Sequence, residues 1–111
     1  SKESNMKVLH KTLGGTTFIG LCGELDESTS VITRSALDKI IDASDSNKVI
    51  LDLSSLKFMD STGVGVLLGR YKRLKSKGST VFIVSPNPTI DKLLKLSGIY
   101  EIMPLIDTES A

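Results

Sequence analysis

The chain has 111 residues, 40% of them apolar and 24% charged, which is the balance of a soluble globular protein with one hydrophobic core. One domain over residues 1–111 is expected, with its core at about 6–106. A net charge of +1 gives no electrostatic reason to expect nucleic acid or an anionic membrane surface. Cys22 is the only cysteine, so no intramolecular disulfide is expected, and its apolar strand predicts a buried thiol. No run is long enough for a membrane-spanning helix, and the N-terminus lacks the apolar core of a secretion signal. The expected location is the cytoplasm.

In chain order, residues 7–12 suggest a short first strand, and Gly14-Gly15 marks a turn. Residues 16–23 are β-branched and apolar and complete a hairpin. His10, the only histidine, has no second ligand at metal spacing and reads as an ordinary strand residue. Gly23-Glu24-Leu25-Asp26-Glu27 precedes a helical pattern in which Ile32, Ala36, Leu37, Ile40 and Ile41 share a face. Ser28, Thr29 or Ser30 can cap that helix, and the acidic group suits its dipole. Residues 43–47 form a turn cluster, residues 48–53 read as a buried strand, and residues 54–57 as a connection.

A second helix follows the stretch Phe58-Met59-Asp60-Ser61-Thr62-Gly63, whose Asp60 or Ser61 can cap it, because Val64, Leu67, Leu68, Tyr71 and Leu74 fall on one face. It ends near Lys77, where Gly78 offers a left-handed cap. Arg70, Lys72, Arg73, Lys75 and Lys77 form a basic run. The run reads as a solvated face or as a docking surface for an acidic partner; Arg70, nearest Ser61 among these cations, is then the contact. Residues 80–84 are another apolar strand, Pro88-Thr89 opens a third helix, and Gly98 stops it. A helical turn at 99–102 and a short last strand at 103–106 finish the pattern. Strands alternating with helices predict an α/β fold whose small mixed sheet has four to five strands.

Phe58-Met59-Asp60-Ser61-Thr62-Gly63 therefore links a core strand to the start of an amphipathic helix. Ser61 has two readings there. One is a helix cap worth about 1 kcal/mol. The other is a phosphorylation site, since a phosphate at a helix N-terminus meets unpaired N–H donors and the positive end of the dipole. Residue chemistry by itself favours the cap.

The run from Phe58 to Lys72 resembles the signature of the anti-sigma factor antagonists, the bacterial STAS-domain family, and Leu68-Gly69-Arg70-Tyr71-Lys72 is similar to its sporulation members. The resemblance implies a small mixed sheet with helices largely on one side. It implies phosphorylation at Ser61 and partner contact through Gly23, Glu24, Asp26, Asp60, Ser61, Thr62, Gly63 and Arg70. The partner it implies is an anti-sigma factor that is also a serine kinase using ATP and Mg²⁺, with a serine phosphatase to reset the switch. Residues 27–30 depart from the usual loop of the sporulation members. The protein itself is expected to need no cofactor and no metal, and to be monomeric when free.

No enzyme constellation is legible. Gly63-Val64-Gly65 begins a dinucleotide fingerprint, but its sixth position is Leu68. Ser61 lacks a Gly-x-Ser-x-Gly frame, and nothing local ties His10 to it. Asp52 ends an apolar strand as a receiver domain's acceptor aspartate does, but the acidic pair and the lysine that a receiver needs are missing from 7–12 and 103–106. A nucleotide- or anion-binding STAS module remains the alternative.

Overall fold

The computed structural model describes residues 5–111. Its first two strands, β1 (Met6–Leu13) and β2 (Thr16–Leu25), form an antiparallel hairpin. Gly14 and Gly15 both take positive φ, the geometry of a tight hairpin turn that matches the strand twist. Three further strands, β3 (Lys48–Asp52), β4 (Leu56–Met59) and β5 (Thr80–Val84), are parallel to β2, directly or through β3. The order across the sheet is β1-β2-β3-β5, and β4 also pairs with β2.

β2 is long enough to hold two partners in succession. Residues 16–20 pair with β3, and residues 23–25 pair with β4. Between the two, the chain steps aside at Leu53–Ser55, where the Asp52 carboxylate accepts the Ser54 N–H at 2.9 Å. The sequence reading made residues 54–57 a mere connection; its second half is β4. That strand is only four residues long, with Leu56 and Met59 buried and the two between them exposed, so it carries no alternation to read.

Three helices follow the strands: α1 (Ser30–Ala43), α2 (Ser61–Ser76) and α3 (Pro88–Ser97). Their buried residues Leu37, Ile41, Leu67, Leu74, Ile90 and Leu94 join Ile19, Leu21, Leu51 and Ile83 of the sheet in one cluster. Each such side chain, moved out of water, contributes about 1.5–3 kcal/mol. Two predicted stops hold. At Gly78 (φ 82°), Ser79 N–H returns to Leu74 C=O and Gly78 N–H to Lys75 C=O; Gly98 caps α3 at φ 78°. Asn87 caps the start of α3, and its side-chain amide also reaches the Leu56 and Lys57 carbonyls, pinning α3 to β4.

Three expectations need correction. Cys22 is half-buried, because on β2 it alternates with buried Leu21 and faces the side away from the core. Ile32 is 49% exposed: α1 is rolled so that Thr33, Leu37 and Ile41 meet the core, and the Thr33 hydroxyl is satisfied by Thr29 C=O at 2.8 Å. Residues 103–106 make an isolated bridge, Ile83 to Leu105, in place of a strand.

Candidate functional site

The C-terminal ends of β2 and β4 lie side by side and deliver two carboxylates together. Leu25 and Met59 are register partners, so Asp26 and Asp60, one residue further on, leave the sheet from neighbouring strands about 5 Å apart. Asp60 N–H closes the pair on Leu25 C=O at 3.4 Å. From there one strand runs through a loop into α1, and the other enters α2 directly.

Asp60 is the N-cap of α2. It has extended backbone angles, and its Oδ1 accepts Gly63 N–H at 3.2 Å. Ser61 is therefore the first helical residue and has no capping task. Its side chain is exposed, and among the described residues its hydroxyl has no hydrogen-bond partner. Val64 N–H goes to Asp60 C=O, whereas the amides of Ser61 and Thr62 have no partner among the described residues. These are the unpaired donors expected of a helix start, and here they flank a free hydroxyl.

Gly63 brings the helix onto the strand. A Cβ at that position would lie 2.5 Å from Met59 Cγ and 3.0 Å from both Leu25 Cγ and Leu25 C=O. Gly23 has a similar task one strand back. At φ 113° an added Cβ would lie 1.8 Å from Asn5 C=O, which accepts the Glu24 N–H at 2.8 Å. Both glycines thus shape the site through backbone approach.

The Asp26 carboxylate folds onto its own loop. Oδ1 accepts the Ser28 N–H at 2.9 Å, the Thr29 N–H at 3.1 Å and the Ser28 hydroxyl at 2.7 Å. The Ser28 hydroxyl, with the two amides, holds this carboxyl below the usual carboxylate range, so it is anionic at neutral pH. Oδ2 has no hydrogen bond among the described residues. Thr29, the residue before α1, makes no capping bond; its hydroxyl donates to Glu24 C=O at 2.8 Å and accepts Asp26 N–H at 3.1 Å. The departure at residues 27–30 is thus a self-bonded loop that fixes where Asp26 stands.

Arg70 is not brought to Ser61. Nine residues along α2 place it about 13 Å away and on the opposite side of the helix. Its side chain, 13% exposed, lies 3.0 Å from Asp38 of α1, and burial lowers its basicity. Arg73 reaches Asp42 through two bonds of 2.8 and 2.7 Å, and Lys77 donates to the carbonyls of Ile41 and Ser44. These cations clasp α1.

One surface residue of the site escapes sequence reasoning. Phe58 is 46% exposed and pairs across the ladder with Glu24, beside the end of α2. An apolar residue in a short strand reads as core, and here it stands exposed on the surface beside Glu24. Among the described residues no cluster of three or more His, Cys, Asp and Glu could hold a metal, and no helix is long and apolar enough to cross a membrane.

Residues 7–111 match the family model for the STAS domain. The anti-sigma F factor antagonist of Paenibacillus polymyxa is 38% identical over 105 residues, covering 95% of this chain and 90% of that protein. The solved unphosphorylated form of the anti-sigma factor antagonist SpoIIAA is 28% identical with a TM-score of 0.76, covering 92% of this chain and 88% of the other. The phosphorylated form of SpoIIAA from Bacillus is 28% identical with a TM-score of 0.69, covering 92% of this chain and 91% of the other.

Proposed function

Because the chain belongs to the STAS-domain family, we propose that it is an anti-sigma factor antagonist of the sigma-F type, switched by phosphorylation of Ser61. One observation carries the reading: Asp60 takes the cap, so the exposed Ser61 hydroxyl has no task in the fold. A relative of the same fold, solved in phosphorylated and unphosphorylated forms, supports it.

Unphosphorylated, the protein binds an anti-sigma factor and so frees the sigma factor. That anti-sigma factor is also a serine kinase using ATP and Mg²⁺, and a serine phosphatase restores the starting state. The protein acts as a monomer in the cytoplasm and contributes a binding surface, with no catalytic group, metal or cofactor of its own. Glu24, Asp26, Phe58, Ser61 and Thr62 meet the partner. Gly23, Asp60 and Gly63 hold that surface in shape, and Arg70 acts at a distance by fixing α1 against α2.

Phosphorylation adds a charge of roughly −1.5 to −2 at pH 7. The free amides of Ser61 and Thr62 and the α2 dipole accept it without unfolding the domain. Toward the partner it adds to Asp26 and Asp60. One facing acidic group at ~4 Å then costs about 4 kcal/mol at an effective dielectric of ~20. That is roughly a thousandfold in affinity, enough to end the complex with no change of fold.

The test is intact mass and fragment mapping after incubation with ATP, Mg²⁺ and the anti-sigma F kinase. One phosphate, on Ser61, is expected. A phosphate on Thr62, or normal phosphorylation of Ser61→Ala, rejects the site.

A further inference from the structure

β1 is a free edge. Asn5 C=O bonds Glu24 N–H, and by the alternation of an antiparallel pair Val8, His10 and Thr12 turn their backbone N–H and C=O groups away from β2. None of the described residues bonds these groups. Beside that edge runs an unfilled groove, two adjoining hollows of about 420 and 290 Å³ that share His10, Lys39 and Ile40. Its far wall is the flank of α1, where exposed Ile32 and half-buried Ala36 and Ile40 stand at helical spacing. Ile32, Ala36 and Ile40 belong to the face that the sequence pattern assigned to the core; of that face Leu37 and Ile41 are buried, and Thr33 joins them where Ile32 was expected.

We infer that the β1 edge is a second docking site, which takes an acidic, extended segment of a partner protein as an added strand. The unpaired backbone groups call for a strand. The apolar flank of α1 calls for apolar side chains at every second position of that strand, on the side facing the helices. Charge completes the description. Lys7 and Lys11 alternate with Leu9 (53% exposed) on the other face of β1, Lys39 lines the groove, and no carboxylate does. The acids of α1, Asp38 and Asp42, are engaged on its opposite flank by Arg70 and Arg73. A second copy of this chain is disfavoured, because it would bring its own Lys7, Lys11 and Lys39 to the same edge. Edge lysines also serve simply to prevent sheet-to-sheet pairing. That reading accounts for Lys7 and Lys11 but leaves exposed Ile32 and the groove beside it unexplained.

The probe is a labelled, end-blocked peptide of alternating Glu and Val, long enough to span the eight residues of β1, with a Lys-for-Glu peptide as its control. Saturable binding of the Glu peptide to the whole protein is expected, followed by fluorescence anisotropy. Amide resonances of Val8, His10 and Thr12 should shift, and those of Ser61 and Thr62 should not. Lys11→Glu with Lys39→Glu should weaken the Glu peptide roughly tenfold and favour the Lys peptide. His10→Pro, which removes an outward N–H, should abolish binding; should that variant not fold, the lysine reversal decides. Ser61→Asp should bind the peptide as the parent does, which separates this site from the switch. Equal binding of both peptides, no binding of either, or shifts centred on Ser61 would overturn the inference. So would self-association of the free protein through β1.

Discussion

The two ends of α2 are built on opposite rules. At its C-terminal end the polar groups are engaged: Arg73 holds Asp42 through two bonds, Lys77 covers the last carbonyls of α1, and Gly78 turns the chain back on the helix. At its N-terminal end Asp60 caps one amide and leaves a hydroxyl and two amides open. One end closes the fold, and the other leaves polar groups without a task in it. Three cations of the basic run are engaged with α1, whereas the serine beside the capping aspartate has no partner among the described residues.

The largest effect should follow from loading the open end. Phosphorylated protein should bind the anti-sigma partner about a thousandfold more weakly than unmodified protein, the fall expected from one facing charge. Ser61→Asp, with a smaller charge, should fold normally and fall between the two. Titration calorimetry with all three forms reads the series, and equal affinities would remove the distinction between the two ends.

Breaking the closed end should cost stability and leave phosphorylation intact. Arg70→Ala should lower the unfolding free energy by about 1–3 kcal/mol, because it leaves Asp38 only the more distant Arg73, at 3.7 Å. The pair itself is poorly bonded: Arg70 Nε and Asp38 Oδ1 are buried without a hydrogen bond, despite their 3.0 Å contact. Replacing both, as Arg70→Met with Asp38→Leu, should therefore recover most of the loss. Urea unfolding measures the stabilities, and the mass assay checks that Ser61 is still modified. A phosphorylation defect in a stably folded Arg70 variant would mean that the closed end reaches the switch.

Much of this was legible from residue pattern. The hairpin, four of the five strands, the three helices and both glycine stops follow from local chemistry that tertiary packing did not override. β4 was lost because four residues carry no period. The roll of α1 was lost because Thr33 reads as polar, while in the fold its hydroxyl is paid by a carbonyl one turn back and it takes the place that Ile32 would have filled. At the site, the nearness of Asp26 to Asp60 is a matter of register between β2 and β4, and no single stretch encodes it. The separation of Arg70 from Ser61 was hidden for a similar reason: closeness in sequence says nothing about which side of a helix a residue takes.

The glycines of α2 sharpen the comparison at a smaller scale. Gly63 is required by contact with Leu25 and Met59, but a Cβ at Gly65 would meet nothing within 4 Å. Its cost to the helix, about 0.5–1 kcal/mol relative to Ala, has no return inside the domain. Gly65 lies one turn from Ser61 on the same exposed side. Gly65→Ala should therefore stabilise the protein by about that amount and weaken partner binding, whereas Gly69→Ala, a turn further from Ser61, should stabilise with less loss. Stabilisation without any binding defect would place the interface elsewhere.

The smallest effect concerns acid. Arg73 holds the Asp42 carboxyl below its ordinary value. A carboxyl whose folded pKa is depressed adds stability above its unfolded pKa, about 4, and that contribution is lost as pH falls through the folded value. The stability of the parent should therefore fall more steeply below about pH 4 than that of Arg73→Leu, in which Asp42 keeps only the weaker pull of Lys77. Asp26 behaves in the same direction through Ser28 and Thr29, but Ser28→Ala should leave the α1–α2 clasp untouched. Comparing the acid limbs of these two variants by circular dichroism assigns the proton uptake to the closed end or to the open one. A parent and an Arg73→Leu variant with superimposable acid limbs would show that the clasp gives no pH-dependent stability, and that the closed end is held by Lys77 and packing.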